Sequence, residues 1–127
     1  MATGNNISIK GTFKTPLINF QAGLIEISGR SIPEDVITFF EPLVNWVEDY
    51  CKSPEEKTIV NIRIEYINSG SNRFIFKILK AIASLHKNGF KVELKWYYEE
   101  DDDAIKNLGN DLQTLIDMPF EMVAIME

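Results

Sequence analysis

Two stretches of the chain alternate apolar and polar residues with a period of two. In KTIVNIRIEYI (57–67), Val60, Ile62, Ile64 and Tyr66 fall on one side and Asn61, Arg63 and Glu65 on the other. In FKVELKWYY (90–98), Phe90, Val92, Leu94 and Trp96 alternate with Lys91, Glu93 and Lys95. Such alternation predicts strands. A parallel strand covered on both faces reads instead as an unbroken apolar run. The pattern therefore predicts a sheet with helices mainly on one face, the other face wet or reserved for a partner.

Three stretches carry apolar residues at three- and four-residue steps, the period of a helix with one buried face. The first is SIPEDVITFFEPLVNWVEDYC (31–51), with Val36, Phe40, Leu43, Val44, Val47 and Cys51 on its stripe. Pro33, Glu34 and Asp35 suit its first turn, while Pro42 predicts a kink or a later start. The second is NRFIFKILKAIASLHKNG (72–89), with Phe74, Ile75, Ile78, Leu79, Ile82 and Leu85. The third is DDDAIKNLGNDLQTLIDM (101–118), where Gly109 weakens the helix by about 1 kcal/mol relative to alanine. GLIEISG (23–29) and FEMVAIM (120–126) read as further strands, and residues 7–9 and 16–20 as short extended pieces. Strand–helix–strand units cross over right-handed, so the central strands should run parallel. The fold class is α/β: a mixed, mostly parallel sheet in a single domain over residues 1–127.

Composition removes several functions. With 13 Lys and Arg against 19 Asp and Glu, the net charge is −6, the wrong sign for a nucleic-acid binder. No apolar run approaches the 18 or so residues of a membrane span. MATGNNISIKGTF lacks the pattern of a secretion signal, and one cysteine, Cys51, fits a reducing compartment. These features together predict a cytoplasmic protein. No Walker A sequence, GxGxxG or Cys/His zinc cluster is present. His86 falls in the last turn of a helix, where a cation favours the dipole, and Cys51 lies on an apolar stripe. No metal, cofactor or catalytic residue is expected.

Two segments remain. The acidic run Glu99, Glu100, Asp101, Asp102 and Asp103 precedes a helix, which accounts for it without a metal. With Trp96, Tyr97 and Tyr98 before it, it could form a partner surface, although Trp96 and Tyr98 alternate as core residues would. The other segment is YINSGSNR (66–73), between a strand and a helix. Ser69 or Ser71 can cap that helix. The same position suits phosphorylation, because free N–H groups and the helix dipole tolerate a phosphate there.

Tyr66-Ile67-Asn68-Ser69-Gly70-Ser71, followed by Arg73, resembles a signature of the SiaC family of bacterial regulatory phosphoproteins. In that signature tyrosine, leucine, asparagine, threonine, serine and serine are followed two residues on by lysine. TPLINF (15–20), NWVEDY (45–50) and VELKWYYEEDDD (92–103) are similar to the family's pattern in the same order. The resemblance implies a STAS-like fold, that of the anti-sigma-factor antagonists, and a role in partner switching without enzymatic activity. It implies a kinase of histidine-kinase-like ATPase fold, a PP2C-type phosphatase, and an output protein such as a diguanylate cyclase. By position the phosphoacceptor is Ser69, in the threonine slot. Gly70 in a serine slot makes Ser71 a competitor, and Arg73 keeps the lysine's charge but not its geometry.

Two other functions use the same residues. A small phosphate-binding enzyme would need a base near Ser69, and Glu65 is the only nearby carboxylate in sequence. A constitutive adaptor would use the polar sheet face, with Arg63 and Lys95 in the contact.

Overall fold

The computed structural model describes residues 6–126. Residues 1–5, within the stretch read as lacking a secretion signal, lie outside the described residues. Nine elements follow one another: β1 (Ile7–Ile9), β2 (Leu17–Gln21), β3 (Leu24–Ser31), α1 (Val36–Tyr50), β4 (Lys57–Ile67), α2 (Ser69–Lys87), β5 (Lys91–Glu99), α3 (Asp103–Leu115) and β6 (Phe120–Ile125). The six strands form one sheet in chain order. β1, β2 and β3 pair antiparallel, and β3 through β6 pair parallel.

The strand order explains the one-sided architecture. Each crossover from β3 to β6 steps to the adjacent strand in the same direction. Right-handed crossovers that advance one way place every helix on one face. That face holds the core: Ile25 and Ile27, Val60 and Ile62, and Val92, Leu94 and Trp96 are buried against Phe40, Leu43, Val47, Ile75, Ile78 and Ile82. The other face carries the polar half of each alternation. There Asn19, Glu26, Asn61, Lys95 and Glu121 share one register row.

The periodicities named the elements, and local chemistry moved their ends. α1 begins at Val36, not at Ser31, because Ser31 completes β3 and Asp35 caps the helix. The Asp35 carboxylate accepts from the Thr38 N–H at 3.0 Å and from its hydroxyl at 2.7 Å, and these bonds hold its pKa below the usual value. α1 runs through Pro42, whose ring is exposed. Buried Phe40, Leu43, Val44 and Val47 hold the helix on both sides of the missing N–H. At the far end of α1 the Tyr50 hydroxyl accepts from the backbone N–H groups of Gly23 and Glu55 and lies 2.7 Å from that of Thr58. One buried side chain thus ties α1 to the β2–β3 turn and to β4.

Tyr66 is the main departure. Strict alternation puts it in the core, yet it is 55% exposed. Gly29 pairs with Ile64 and Arg30 with Tyr66, so Glu65 is an extra residue on β4. Such a bulge reverses the phase of the residues beyond it. Gly29 takes φ +111° beside it, a conformation open to glycine. Tyr66 is thereby turned to the open face beside Arg30, and Ile67 packs towards the core.

Gly109 also acquires a reason. A Cβ there would lie 2.5 Å from the Trp96 indole and 2.8 Å from Met122 Cε. Its lack of a side chain lets α3 approach β5, and the Trp96 Nε1–H donates to the Ile105 carbonyl at 3.0 Å. Gly109→Ala should therefore lower stability by about 1–3 kcal/mol through overpacking, whereas the same change in an open helix raises it by up to about 1 kcal/mol. Urea unfolding checks this: the midpoint should fall at an unchanged slope, and a rise would show that the close approach is not needed.

Candidate functional site

The site is built at the junction of β4 and α2. All four parallel strands point their C-terminal ends at one edge of the molecule, and all three helices begin there. Asn68 makes the junction. Its N–H donates to the Ser31 carbonyl at 3.0 Å, which fastens the end of β4 to the end of β3. Its side chain accepts from the Ser71 N–H at 2.8 Å, so Asn68 is the cap of α2. This corrects the expectation that Ser69 or Ser71 caps the helix. α2 starts three residues before the predicted 72, with Ser69 in its first position.

The register of α2 decides what each serine can do. At about 100° per residue, Ser69 and Ser71 lie roughly on opposite sides of the helix. Ser71 is fully buried, on the same stripe as Ile75, Ile78, Leu79, Ile82 and Leu85. Ser69 is exposed, on the side continued by Arg73, Lys77 and Lys80. The Ser71 hydroxyl, the Ser31 hydroxyl and the Asn72 Oδ1 are buried without a protein hydrogen-bond partner. Each belongs to a residue bonded once to Asn68. Gly70 sits against α1: a Cβ there would be 3.1 Å from Val36 Cγ2.

Electrostatics distinguish this helix end from its neighbours. Asp35 caps α1, and Asp102 caps α3 by accepting from the Ile105 N–H at 3.0 Å. α2 is capped by an uncharged residue and has no acidic side chain in its first turn. Its positive end is left without a neutralising carboxylate on its own helix.

The remaining candidates are dispersed. Trp96 is fully buried and bonded to α3, which corrects its place in a partner surface. Tyr97, Tyr98 and Glu99 are half-buried, and Glu100 and Asp101 are exposed. Glu99, Glu100, Asp101 and Ile125 line a hollow of about 420 Å³. A second hollow of about 380 Å³ joins the two segments, with Glu65, Tyr66 and Ile67 on one side and Asp102, Ala104, Ile105 and Leu108 on the other. Among the described residues no group of His, Cys, Asp or Glu is arranged to hold a metal. Burial raises the Cys51 thiol to a pKa of about 11, so it stays protonated and a poor nucleophile. His86 is exposed in the last turn of α2, as expected. No described helix is long and apolar enough to cross a membrane.

Residues 9–125 match the family described as SiaC family regulatory phosphoprotein. The chain belongs to the SiaC family. A protein of Pseudomonas aeruginosa is 27% identical over 122 residues, 94% of this chain and 97% of that one. The crystal structure of apo-SiaC from Pseudomonas aeruginosa superposes with a TM-score of 0.84 at 27% identity, covering 95% of this chain and all of that one. A chain in the structure of diguanylate cyclase SiaD in complex with its activator SiaC, from the same organism, superposes at 0.85 with 27% identity, covering 94% and 99%. The SiaC family is a regulatory one. Within the SiaC signature, the close approach of Val36 gives a physical reason for glycine at position 70.

The two sides of the junction should respond oppositely to alanine. Asn68→Ala removes the cap and should cost about 1 kcal/mol. Ser71→Ala removes a buried, unpartnered hydroxyl and should be neutral or stabilising by up to about 1 kcal/mol. Thermal unfolding of both variants checks this; a large loss for Ser71→Ala would mean that its hydroxyl is bonded in solution.

Proposed function

We propose that Ser69 is a reversible phosphorylation site and that its charge state controls docking onto a protein target. The observation that carries this is an exposed hydroxyl at the first position of the one helix among the three whose cap is uncharged. A phosphate there brings about −1.5 to −2 charges and three acceptor oxygens. Free N–H groups and the helix dipole can receive them without disturbing the core. Burial of Ser71 argues that its hydroxyl is not the acceptor. A docked partner would meet a new anion at the edge of its contact and lose affinity.

The kinase in this reading has a histidine-kinase-like ATPase fold, the eraser is a PP2C-type phosphatase, and the setting is the cytoplasm. The output protein is a diguanylate cyclase, bound by the unphosphorylated form. Support for the output comes from the SiaC structure solved with SiaD, whose activator it is. Asn68 and Gly70 flank the acceptor in the chain, Arg73 follows one helical turn on, and Asn68 caps the helix that carries it, while the Tyr66 ring turns to Arg30 on the open face.

Incubation with the kinase and ATP, followed by mass spectrometry, should place phosphate on Ser69. Ser69→Ala should bind the cyclase as tightly as the unmodified chain, with and without kinase treatment. Ser69→Asp should bind about tenfold more weakly, a difference of about 1.4 kcal/mol. Modification confined to sites outside 68–71, or equal affinity for wild type and Ser69→Asp, would overturn the proposal.

A further inference from the structure

The sheet face without helices is not uniform. In its middle row the Glu26 carboxylate accepts from Asn19 at 3.0 Å and from Asn61 at 3.2 Å. Towards the strand C-termini the face changes character. Two of the chain's three arginines, Arg30 and Arg63, lie there in a protein of net charge −6. Among the described residues neither has a carboxylate within ion-pair distance, although Lys14, Lys52 and Lys57 all do. Phe13 is 73% exposed, Tyr66 55% and Leu17 41%, half of the six large apolar side chains so exposed among the described residues.

Arg30 is held in place. Its guanidinium carbon sits 4.5 Å from the Phe13 ring centroid and 5.2 Å from that of Tyr66. Its Nε–H donates to the Phe13 carbonyl at 2.9 Å. The bulge after Gly29 makes this possible by turning Tyr66 to the open side. The two rings hold the guanidinium between them and the Nε bond anchors it, which leaves the terminal nitrogens to a ligand. A fork immobilised beforehand loses little side-chain entropy on binding. Arg63 pairs with Ser28, two residues before Arg30 on the neighbouring strand. Strand spacings put the two arginine Cα atoms roughly 8 Å apart. Between the rows lies a hollow of about 440 Å³ lined by Leu17, Glu26, Ser28, Asn61, Arg63 and Tyr97.

We infer that this half of the open face is a second docking surface, which takes an acidic segment of a protein partner. Carboxylates of the segment pair with Arg30 and Arg63, and an apolar side chain beside them enters the hollow. Guanidinium forks match carboxylates in two parallel bonds. The exposed apolar rim of Phe13, Leu17 and Tyr66 asks for apolar contact that a free small anion cannot give. Two arginines in a protein of net charge −6 are too few for the row of phosphates that a nucleic acid presents. The surface lies on the sheet face opposite the helices.

The test is nuclear magnetic resonance of the full chain, including arginine Nε–H signals, titrated with a synthetic peptide of alternating glutamate and leucine. A peptide of alternating lysine and leucine is the control. The glutamate peptide should shift the Nε–H signals of Arg30 and Arg63 and the amides of Phe13, Tyr66 and Tyr97, and the lysine peptide should shift none of them. Arg30→Gln and Arg63→Gln should each weaken the interaction about tenfold, the loss of one charge-assisted pair. The Arg63 side chain is exposed and makes no hydrogen bond or ion pair among the described residues, so its variant tests the surface even if Arg30→Gln loosens the Phe13 loop. Equal shifts with both peptides, no shift with either, or self-association through this face without peptide would overturn the inference.

Discussion

The angular register of α2 governs the molecule's chemistry. It is fixed by Asn68, which bonds Ser31 with its backbone and the Ser71 N–H with its side chain. Once Asn68 is the cap, Ser71 must enter the core stripe and Ser69 must leave it. Phosphorylation at Ser69 is therefore a proposal about register: an exposed hydroxyl exists because a neighbouring one is buried. Three buried oxygens without protein partners surround the same asparagine. Polar groups so placed cost stability unless something bonds them.

A second constraint acts through the sheet. Helices confined to one face leave the other open, and a bare alternating face would be polar throughout. The extra residue at Glu65 interrupts that outcome. It sends Tyr66 outward to stack on Arg30, and the C-terminal half of the face becomes cationic and aromatic instead of neutral. Both proposed sites thus lie along the edge where the parallel strands end. Ser69 faces out from the helix layer, and Arg30 lies on the opposite side of the sheet.

Much of this was legible in the residues. The alternations in 57–67 and 90–98 carried both the strands and the one-sided packing, because burial on a single face leaves its period in the sequence. The cap was legible too, though the residue identity was not. Asn68, Ser69 and Ser71 are all good caps, and only tertiary bonding chose Asn68. Extending the apolar stripe backwards from Ile82, Ile78 and Ile75 reaches Ser71, a signal that marks it as buried once the helix is begun at 69. The bulge left no such trace. Nothing in NIRIEYI distinguishes a phase reversal at Glu65, because the cause is the pairing of Gly29 and Arg30 on another strand. Trp96 beside Gly109 is likewise a contact between distant segments.

The most direct test of the central claim is thermal unfolding of the chain with phosphoserine installed at position 69 during translation, independent of any kinase. A phosphate at an exposed, dipole-positive helix end should leave unfolding cooperative. The midpoint should be unchanged or higher by a few degrees, reflecting about 0.3–1 kcal/mol of dipole interaction. A fall of several degrees, or loss of cooperativity, would mean that the hydroxyl belongs to the packed scaffold and would contradict the account.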